Sequence, residues 1–352
     1  MKKKQATSTL KNVADLAGVS LATASRVLSH ADYPVSEERR KRILEAANVL
    51  NYTPNIVARS LRSNLQSIIG VIVPTLQNPF FNQVIHGIES VASKNNFEIM
   101  IFSSHRSIEQ ERKNINSLLQ NRVLTLIIIS IDTDNSTLKN YINCGGKVAL
   151  IESNFKLRHT IVTETDYAGA AQIAVDYLIE KGHRRIAFLT SPLNKTYRRS
   201  IFIGVKEAIK NYGIPFSDDD VFVAPDEMET ETGVYEFILG RQLVDSFLHA
   251  SNRYTAIIAI NDLTAFGIIQ ALTQHGISIP GDLSVISFDN ILYSEMISPP
   301  LTSIELPSRS MGSAVCRMLL DSLSSTSAEL TDVVFSFQGH LVERQSVRKL
   351  SP

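Results

Sequence analysis

Cysteine is scarce in this sequence, and long apolar runs are missing. The two cysteines, Cys144 and Cys316, are too few for a disulfide framework or a cysteine-rich metal site. No apolar run reaches the ~18 residues that a membrane-spanning helix needs. The basic start of the chain leads into a helical pattern, where a signal peptide would have an apolar segment. We therefore expect a cytoplasmic protein that does not contact a membrane.

The sequence patterns of common enzymes and metal proteins are missing as well. No two of the 16 glycines are separated by one residue, so the dinucleotide-binding pattern G-x-G-x-x-G is absent. The phosphate-binding pattern G-x-x-x-x-G-K-[ST] and the nucleophile pattern G-x-S-x-G are absent too. The eight histidines are scattered, without the spacing of metal ligands. We expect no catalytic residue, no cofactor and no metal.

Positive charge is concentrated at one end of the chain. The 352 residues carry no net charge, but residues 1–62 contain 11 lysines and arginines against five acidic residues, a net charge of +6. The remainder therefore carries −6. A basic head on an acidic body is typical of a protein whose head binds a polyanion. A basic, solvated tail without a partner would give the same composition. The residue pattern of the head therefore has to distinguish between these two interpretations.

The head has the apolar spacing of three short helices. Leu10, Val13, Leu16 and Ala17 recur at helical intervals, and Thr9 is placed to cap the first helix. A second helix is predicted over residues 21–28 and a third from residue 37 onward. Short helices, the first two joined by a glycine-containing turn, are typical of a helix-turn-helix.

The second helix begins after a recognisable turn. Gly18 permits a tight turn, and Ser20 is a natural N-cap for the helix that follows. The run TLKNVADLAGVSLATASRVL over residues 9–28, with NYTPN over 51–55 and ARSL over 58–61, resembles the DNA-binding head of the lactose-repressor (LacI/GalR) family. This resemblance implies a head over residues 1–54 and a hinge helix with a linker over 55–66.

The resemblance and the chemistry of the second helix together predict its roles on DNA. In a helix-turn-helix this helix lies in the major groove. Arg26 is its only long donor, so we expect it to contact a guanine, although a phosphate contact would suit the same side chain. Leu21 and Ala22 offer only apolar contacts. The expected DNA-binding residues of the head are Thr9, Ser20, Leu21, Ala22, Thr23, Ser25 and Arg26.

The implied hinge segment is too short to be a stable helix alone. In the family it forms a helix when two subunits bind side by side in the minor groove. Leu61 matches the leucine that wedges between base pairs there, and packing under the core is its alternative role. The expected DNA-binding residues of the hinge are Asn55, Ala58, Arg59 and Leu61.

Beyond residue 67, β-branched runs alternate with helical stripes. The pattern predicts, among others, a strand over Leu124–Ile131 and a helix that begins at Ile201. Such alternation predicts parallel sheets covered by helices on both faces. Two sets of it predict two doubly wound subdomains, with a ligand cleft at the carboxyl ends of the strands.

The body is similar to the core of the same family in several segments, among them NPFF over 78–81 and PLTSI over 300–304. The resemblance covers residues 9–346 and implies a core like that of periplasmic sugar-binding proteins. It implies one subdomain over about 67–164 and 306–333, a second over about 165–305 and 334–346, and a tail over 347–352. The fold class is thus an all-α helix-turn-helix head with an α/β core of two doubly wound parallel-sheet subdomains.

By the same resemblance, the cleft binds a small effector. Carboxylates and amides pair with vicinal hydroxyls, and an aromatic ring stacks on the face of a sugar or a base. Each residue has a rival role: Asp262 as a helix cap, Asp289 as a loop anchor, Phe81 as core. The expected effector-binding residues are Phe80, Phe81, Glu152, Asn261, Asp262 and Asp289.

One departure from the family concerns the effector. Many sugar-responsive members carry an arginine three residues before the glycine that aligns with Gly204, and here that position is Ile201. Isoleucine offers none of the donors of a guanidinium. The spacing of Arg198 and Arg199 predicts that they lie on other faces. A phosphorylated ligand, a non-sugar or a protein co-regulator therefore stays open beside a sugar.

These observations predict a homodimeric transcriptional regulator, which we expect to repress carbohydrate-utilisation genes by binding a pseudo-palindromic operator in double-stranded DNA. An effector in the cleft, a sugar or a sugar phosphate, would change the angle between the subdomains and so the spacing of the two hinges. A global regulator with a phosphorylated protein or metabolite as co-repressor is the alternative. A solute-binding protein or an enzyme on the same scaffold fits less well. The end of the chain lacks leucine heptads, so we expect no tetramerising coiled coil.

Overall fold

The computed structural model describes residues 9–28, 34–50, 52, 67–152, 157, 160–224, 234–324 and 334–350. The chain divides into two compact units, Met1–Gln66 and Ser67–Pro352. Within the described residues no helix is both long enough and apolar enough to span a membrane. No group of three or more possible metal ligands occurs among them either.

The first unit contains the three predicted helices, α1 (Leu10–Ala17), α2 (Leu21–Leu28) and α3 (Glu37–Val49). Thr9 caps α1 in a reciprocal capping box, because its hydroxyl accepts from Asn12 N at 3.3 Å while Asn12 Oδ1 accepts from Thr9 N at 2.9 Å. This arrangement satisfies two amide groups that the first turn of a helix leaves without partners.

The turn between α1 and α2 follows the sequence prediction. Gly18 adopts φ 64°, a left-handed conformation that glycine tolerates without steric cost. Ser20 Oγ accepts from Thr23 N at 3.1 Å and so caps α2. One residue of the predicted apolar stripe is wrong, however: Leu16 is 56% exposed, as is Leu44 of α3 at 43%. Smaller side chains fill the core of the head instead, chiefly Val13, Ala14, Ala17, Ala24, Val27, Ile43, Ala46 and Ala47.

Within its described residues the second unit forms two six-stranded sheets, and the predicted fold class is confirmed. The strands of the first sheet, in spatial order, are β11 (Val334–Phe337), β5 (Thr160–Thr165), β4 (Lys147–Ile151), β3 (Thr125–Ile128), β1 (Ile68–Val73) and β2 (Glu98–Ser103). Those of the second are β12 (His340–Val342), β10 (Thr302–Glu305), β9 (Ser284–Asp289), β8 (Ala256–Ala259), β6 (Ile186–Thr190) and β7 (Val221–Val223). All neighbours are parallel except β10 and β12, which are antiparallel.

Helices cover both sheets. They are α4 (Pro79–Ala92), α5 (Ile108–Gln120), α6 (Ser136–Asn143), α7 (Tyr167–Glu180), α8 (Thr196–Asn211), α9 (Tyr235–Leu248), α10 (Asp262–Gln274) and α11 (Ser308–Ser324). Glycine allows α4 and α11 to pack with their backbones in contact, since a β-carbon at Gly87 would lie 2.1 Å from the carbonyl oxygen of Arg309. A side chain at this position would force the two helices apart.

The chain passes between the two sheets three times: after β5, after β10 and after β11. The strand Val334–Phe337 pairs with β5 in the first sheet, so the predicted assignment of residues 334–337 to the second subdomain is wrong. The predicted strand over Leu124–Ile131 ends at Ile128, and the helix predicted from Ile201 begins five residues earlier, at Thr196. Both differences occur where strands and helices reach the edge of a cleft.

Residues 347–350 pack against the second sheet, so this part of the predicted tail over 347–352 belongs to the second subdomain. Arg348 N donates to Ser284 Oγ at 3.1 Å, and Leu350 N donates to the carbonyl of Lys181 at 2.8 Å. The buried ring of His183 lies against the backbone of Arg348. Its Nδ1 is 3.0 Å from Thr255 Oγ1, and its Nε2 is 3.1 Å from the carbonyl oxygen of Arg348. Burial lowers the pKa of His183 below its ordinary value.

We expect this histidine to make the protein less stable in mild acid. A histidine whose pKa is lower in the folded state than its unfolded value of about 6.5 contributes stability that is lost as the pH falls below that value. The loss cannot exceed about 1.4 kcal/mol per pH unit for one group. Denaturant unfolding at pH 7.5 and 5.5 should therefore show a smaller pH dependence in His183→Gln than in the parent. The exposed His275, as His275→Gln, is the control, and an equal pH dependence in all three proteins would contradict the assignment.

Candidate functional site

The exposed face of α2 carries the residues that the sequence predicts for base contacts. Leu21, Ala22 and Arg26 are exposed, whereas Ala24 and Val27 are buried in the head. A helix-turn-helix needs this division, because one face of its second helix must enter the major groove. Thr23 and Ser25 are half-buried beside them, and Thr9 and Ser20 are exposed at helix ends.

The head also carries exposed positive side chains on α3. Arg39, Lys41 and Arg42 of α3 are exposed, which suits phosphate contacts that add affinity without reading sequence. Base contacts by the individual side chains stay predictions. The hinge residues Asn55, Ala58, Arg59 and Leu61 lie outside the described residues.

A cleft lies between the two subdomains of the second unit, at the carboxyl ends of their strands. Its empty volume is about 760 Å³, including the part open to solvent. The first subdomain provides Pro74, Asn78, Phe80, Phe81, Arg106, Ile129, Ser130, Ile131 and Glu152, and the second provides Tyr167, Lys195, Thr196, Tyr197, Arg198, Ile201, Ile260, Asn261 and Asp289, with Leu306 on a crossover. The position agrees with the rule that ligands of open α/β sheets bind beyond the carboxyl ends of the strands.

Aromatic rings form two parts of the cleft wall. Phe80 and Phe81, at the start of α4, contact edge to face with ring centres 5.5 Å apart. They are placed by Asn78, which caps α4 by accepting from Phe80 N at 3.0 Å. The ring centres of Tyr167 and Tyr197, both in the second subdomain, lie 5.9 Å apart. Such surfaces stack on the flat face of a sugar or a base.

Glu152 lies in the cleft at the end of β4, as predicted. Its Oε1 accepts from the Tyr167 hydroxyl and from Thr165 Oγ1 at 3.0 Å. Burial raises the pKa of the Glu152 carboxyl, although these two hydrogen bonds oppose the shift. Burial and the neighbouring carboxylate also raise the pKa of Tyr167. The pair forms a polar edge next to the aromatic surfaces.

Asp289 lies in the cleft at the end of β9. Burial, together with the nearby acids Asp262, Glu152 and Glu236, raises its pKa well above the ordinary value. No described residue donates a hydrogen bond to its carboxylate. Its φ of 106° is outside the range that residues with a side chain favour. Arg106 and Glu152 in the same cleft also have positive φ, each 55°.

Asn261 has two functions in the structure. Its Oδ1 accepts from Thr264 N at 2.9 Å and caps α10. The residue also lines the cleft. The cap orients the amide, so the NH₂ group is the part that can serve a ligand.

Asp262 does not line the cleft, and the structure contradicts its prediction as an effector-binding residue. It is fully buried. Oδ1 accepts from the hydroxyls of Ser287 and Ser303, and Oδ2 accepts from Ser294 Oγ at 2.5 Å and Ile291 N at 2.8 Å. Burial raises its pKa while these donors oppose the shift. The residue begins α10, but its side chain accepts from serines of β9 and β10 and so links the helix to these two strands.

Three cations of the cleft, Arg106, Lys195 and Arg198, were not predicted as site residues from the sequence. Arg198 is 2% exposed, and its Nε and Nη1 donate to Tyr197 Oη at 2.9 Å and to the carbonyl of Pro192 at 3.1 Å. The prediction that its spacing turns it away from the cleft is wrong, because residues three apart share a helix face and Ile201 lies in the same wall. This i, i+3 relation could have identified Arg198 once α8 was known to begin at Thr196.

A buried carboxylate orders the cleft edge that follows β3. Glu111 of α5 is completely buried and accepts from Ser130 Oγ at 2.5 Å, Ile131 N at 2.9 Å and Asp132 N at 3.4 Å. These bonds turn the backbone out of the strand, which explains why β3 ends at Ile128. Burial raises the pKa of Glu111. Ser130 and Ile131 are thereby placed in the cleft wall.

Comparison with known proteins covers both units of the chain. Residues 9–55 match the profile described as "Bacterial regulatory proteins, lacI family", and residues 175–347 match that of a periplasmic binding protein-like domain. The HTH-type transcriptional repressor PurR of Vibrio parahaemolyticus is 30% identical over 348 residues, 98% of this chain and 100% of the relative. The chain belongs to the lacI family. It is a DNA-binding transcriptional regulator with an effector-binding domain, which confirms the predicted class.

Solved structures of lacI-family proteins show the same fold. The lac repressor dimer bound to operator and the anti-inducer ONPF has a TM-score of 0.80 at 26% identity, covering 97% of this chain and 100% of that chain. A LacI family transcriptional regulator from Enterococcus faecium with bound ribose has a TM-score of 0.70 at 26% identity, covering 81% and 100%. The cleft of this lacI-family regulator lies in the domain that these structures share.

Proposed function

We propose that this lacI-family regulator is a homodimeric repressor whose two heads bind an operator and whose cleft binds a small effector. The observation that carries the proposal is the cleft, in which Asp289, without a protein donor among the described residues, faces aromatic surfaces from both subdomains. An apolar pocket with a few placed polar groups is the usual form of a small-molecule site. The dimer of the lac repressor on its operator supports the mode of DNA binding.

A sugar is the effector class that the cleft supports best. Carboxylate and amide oxygens at Asp289, Glu152 and Asn261 suit vicinal hydroxyls, and the rings suit a sugar face. The relative with bound ribose supports this class. A sugar phosphate or another phosphorylated metabolite is the second candidate, because Lys195 and Arg198 line the same cleft. We therefore propose carbohydrate-utilisation genes as targets.

Effector binding would act through the subdomain angle. A ligand shifts an equilibrium only by its difference in affinity for the two arrangements, and the coupling is reciprocal. Operator DNA should therefore change effector affinity by the same factor as effector changes operator affinity. The protein would work without catalysis and in the cytoplasm, where a regulator meets the chromosome.

Three measurements test the proposal. Purified protein should select a set of genomic fragments with twofold-symmetric sites at low ionic strength, and it should elute as a dimer. A thermal-shift screen with sugars and sugar phosphates should raise the melting temperature for one chemical class, since a ligand that binds only the native state stabilises it. A monomer that retains no fragment would contradict the DNA-binding part, and a screen without any shift would contradict the effector class.

Leu61→Ala should reduce the bend of the operator. An apolar wedge unstacks one base step at a cost of a few kcal/mol, which wider contacts repay. Loss of the wedge should therefore lower the bend angle and weaken operator binding by about tenfold, roughly 1.4 kcal/mol. A circular-permutation gel assay measures the bend, with Leu44→Ala in α3 as the matched control. An unchanged bend in the Leu61 variant would assign this residue to packing instead.

A further inference from the structure

A buried ion pair joins the two subdomains beside the cleft. Arg106 Nη2 donates to Glu236 Oε1, and the two side chains are 8% and 3% exposed. Arg106 follows β2 of the first subdomain, whereas Glu236 lies in the first turn of α9 in the second. Asn78 Nδ2 donates to the same oxygen of Glu236 at 3.2 Å. One carboxylate of the second subdomain is thus held by two side chains of the first.

The conformation around Arg106 keeps its guanidinium in this position. The guanidinium carbon lies 5.3 Å from the centre of the Tyr235 ring. His105 and Arg106 have φ values of 49° and 55°, which non-glycine residues adopt rarely and retain where the surroundings hold them. The loop after β2 therefore directs Arg106 across the cleft towards α9.

Arg106 and Glu236 differ in their relation to the cleft. Arg106 lines it, so a bound ligand would meet this residue, whereas Glu236 is not among the lining residues. Separation of a buried ion pair leaves both charges without compensation unless water or a ligand replaces the partner. Opening of the cleft would separate this pair, because the two residues belong to different subdomains. The pair consequently opposes opening.

We propose that Glu236 is a positioning residue that holds Arg106 in the cleft wall, and that the pair clamps the subdomains and sets how much of the protein has a closed cleft. This inference rests on the proposed function only in taking the cleft as the effector site. Apparent affinity for an effector of the closed form scales with the closed fraction. The clamp would therefore prepare the cleft for its ligand before the ligand binds.

The distance across the cleft tests the clamp without effector or DNA. Spin labels on the exposed Cys144, at the end of α6, and on Gln274→Cys, at the exposed end of α10, report one subdomain each, since Cys316 is buried. Full-length labelled chains are diluted with unlabelled chains, and the distance distribution is measured by pulsed electron resonance. Glu236→Gln and Arg106→Gln should each add a longer-distance population, and the double variant should match the single ones. Arg106→Lys, which keeps the charge, should recover part of the parent distribution.

A second ion pair provides the matched control. Arg112 Nε donates to Asp132 Oδ2 at 2.6 Å, and both residues belong to the first subdomain. Arg112→Gln should leave the distance distribution unchanged, because its pair does not cross the cleft. Parent-like distributions in folded Glu236→Gln and Arg106→Gln would overturn the clamp, as would an equal change in Arg112→Gln. A changed distance in a protein that fails the effector screen would leave the clamp standing and reject the effector proposal.

Discussion

Replacing Asp289 with asparagine should strongly weaken the response to effector and leave the fold intact. The carboxylate faces the cleft and accepts no hydrogen bond from a described residue, so a ligand would supply its donors. A hydrogen bond to a charged group contributes about 1.5–3 kcal/mol. Loss of the charge should therefore weaken effector binding by about 10- to 150-fold. Calorimetric titration with the compound found in the thermal-shift screen measures this, and operator binding should remain normal.

The same substitution should make the ligand-free protein more stable at neutral pH. Burial and three neighbouring acids raise the pKa of Asp289. A carboxyl whose pKa is raised in the folded state contributes stability below its unfolded pKa of about 3.9, and that contribution is lost as the pH rises through the folded pKa. Asparagine does not titrate, so the Asp289→Asn variant does not lose stability as the pH rises. Its free energy of unfolding should exceed that of the parent at pH 7, and the difference should shrink as the pH approaches 4.

Asp262→Asn is the matched control for this prediction. Asp262 uses both oxygens to accept four hydrogen bonds inside the protein. An amide in place of the carboxylate removes the charge that these four donors stabilise, which should lower the free energy of unfolding by about 1.5–3 kcal/mol. The control should thus lose stability, whereas Asp289→Asn loses ligand binding. Normal effector binding in Asp289→Asn would remove this residue from the effector site.

Replacing Arg26 with alanine should remove the preference of the head for its operator. Arg26 is exposed on the face of α2 that lies opposite the buried Ala24 and Val27. A bidentate contact between arginine and guanine provides about 1–3 kcal/mol of discrimination against a wrong base, or about 5- to 150-fold in selectivity. Competition gel shifts between the selected operator and a variant with the half-site guanines changed should measure this loss. Weak, salt-sensitive binding should persist, because phosphate contacts do not depend on sequence.

The Arg39→Ala variant distinguishes the loss of a base contact from the loss of a phosphate contact. Arg39 is exposed at the start of α3, so its loss should weaken binding to operator and to unrelated DNA by similar factors. It should also reduce the salt dependence by about one ion, as expected for a single phosphate contact. Unchanged selectivity in Arg26→Ala would reassign Arg26 to a phosphate contact, which is the alternative role of this side chain.

The local sequence pattern was sufficient to predict the helices of the head. Caps at Thr9 and Ser20 and the glycine turn at Gly18 act within a few residues along the chain, so short-range chemistry determines where α1 and α2 begin and end. The pattern was less reliable for burial. A three-helix core of this size is filled by small side chains, and Leu16 and Leu44, although at helical spacing, remain exposed.

The sequence by itself determined the two sheets and the position of a cleft, because strand and helix periodicity act locally and parallel strands meet at one edge. Only the tertiary structure decided which polar groups face the cleft. Asp262 accepts hydrogen bonds from serines of two strands, β9 and β10, and Arg106 pairs with Glu236, 130 residues away. Such pairings depend on how two sheets pack and where the chain crosses between them. No residue's own neighbourhood in the sequence contains that information.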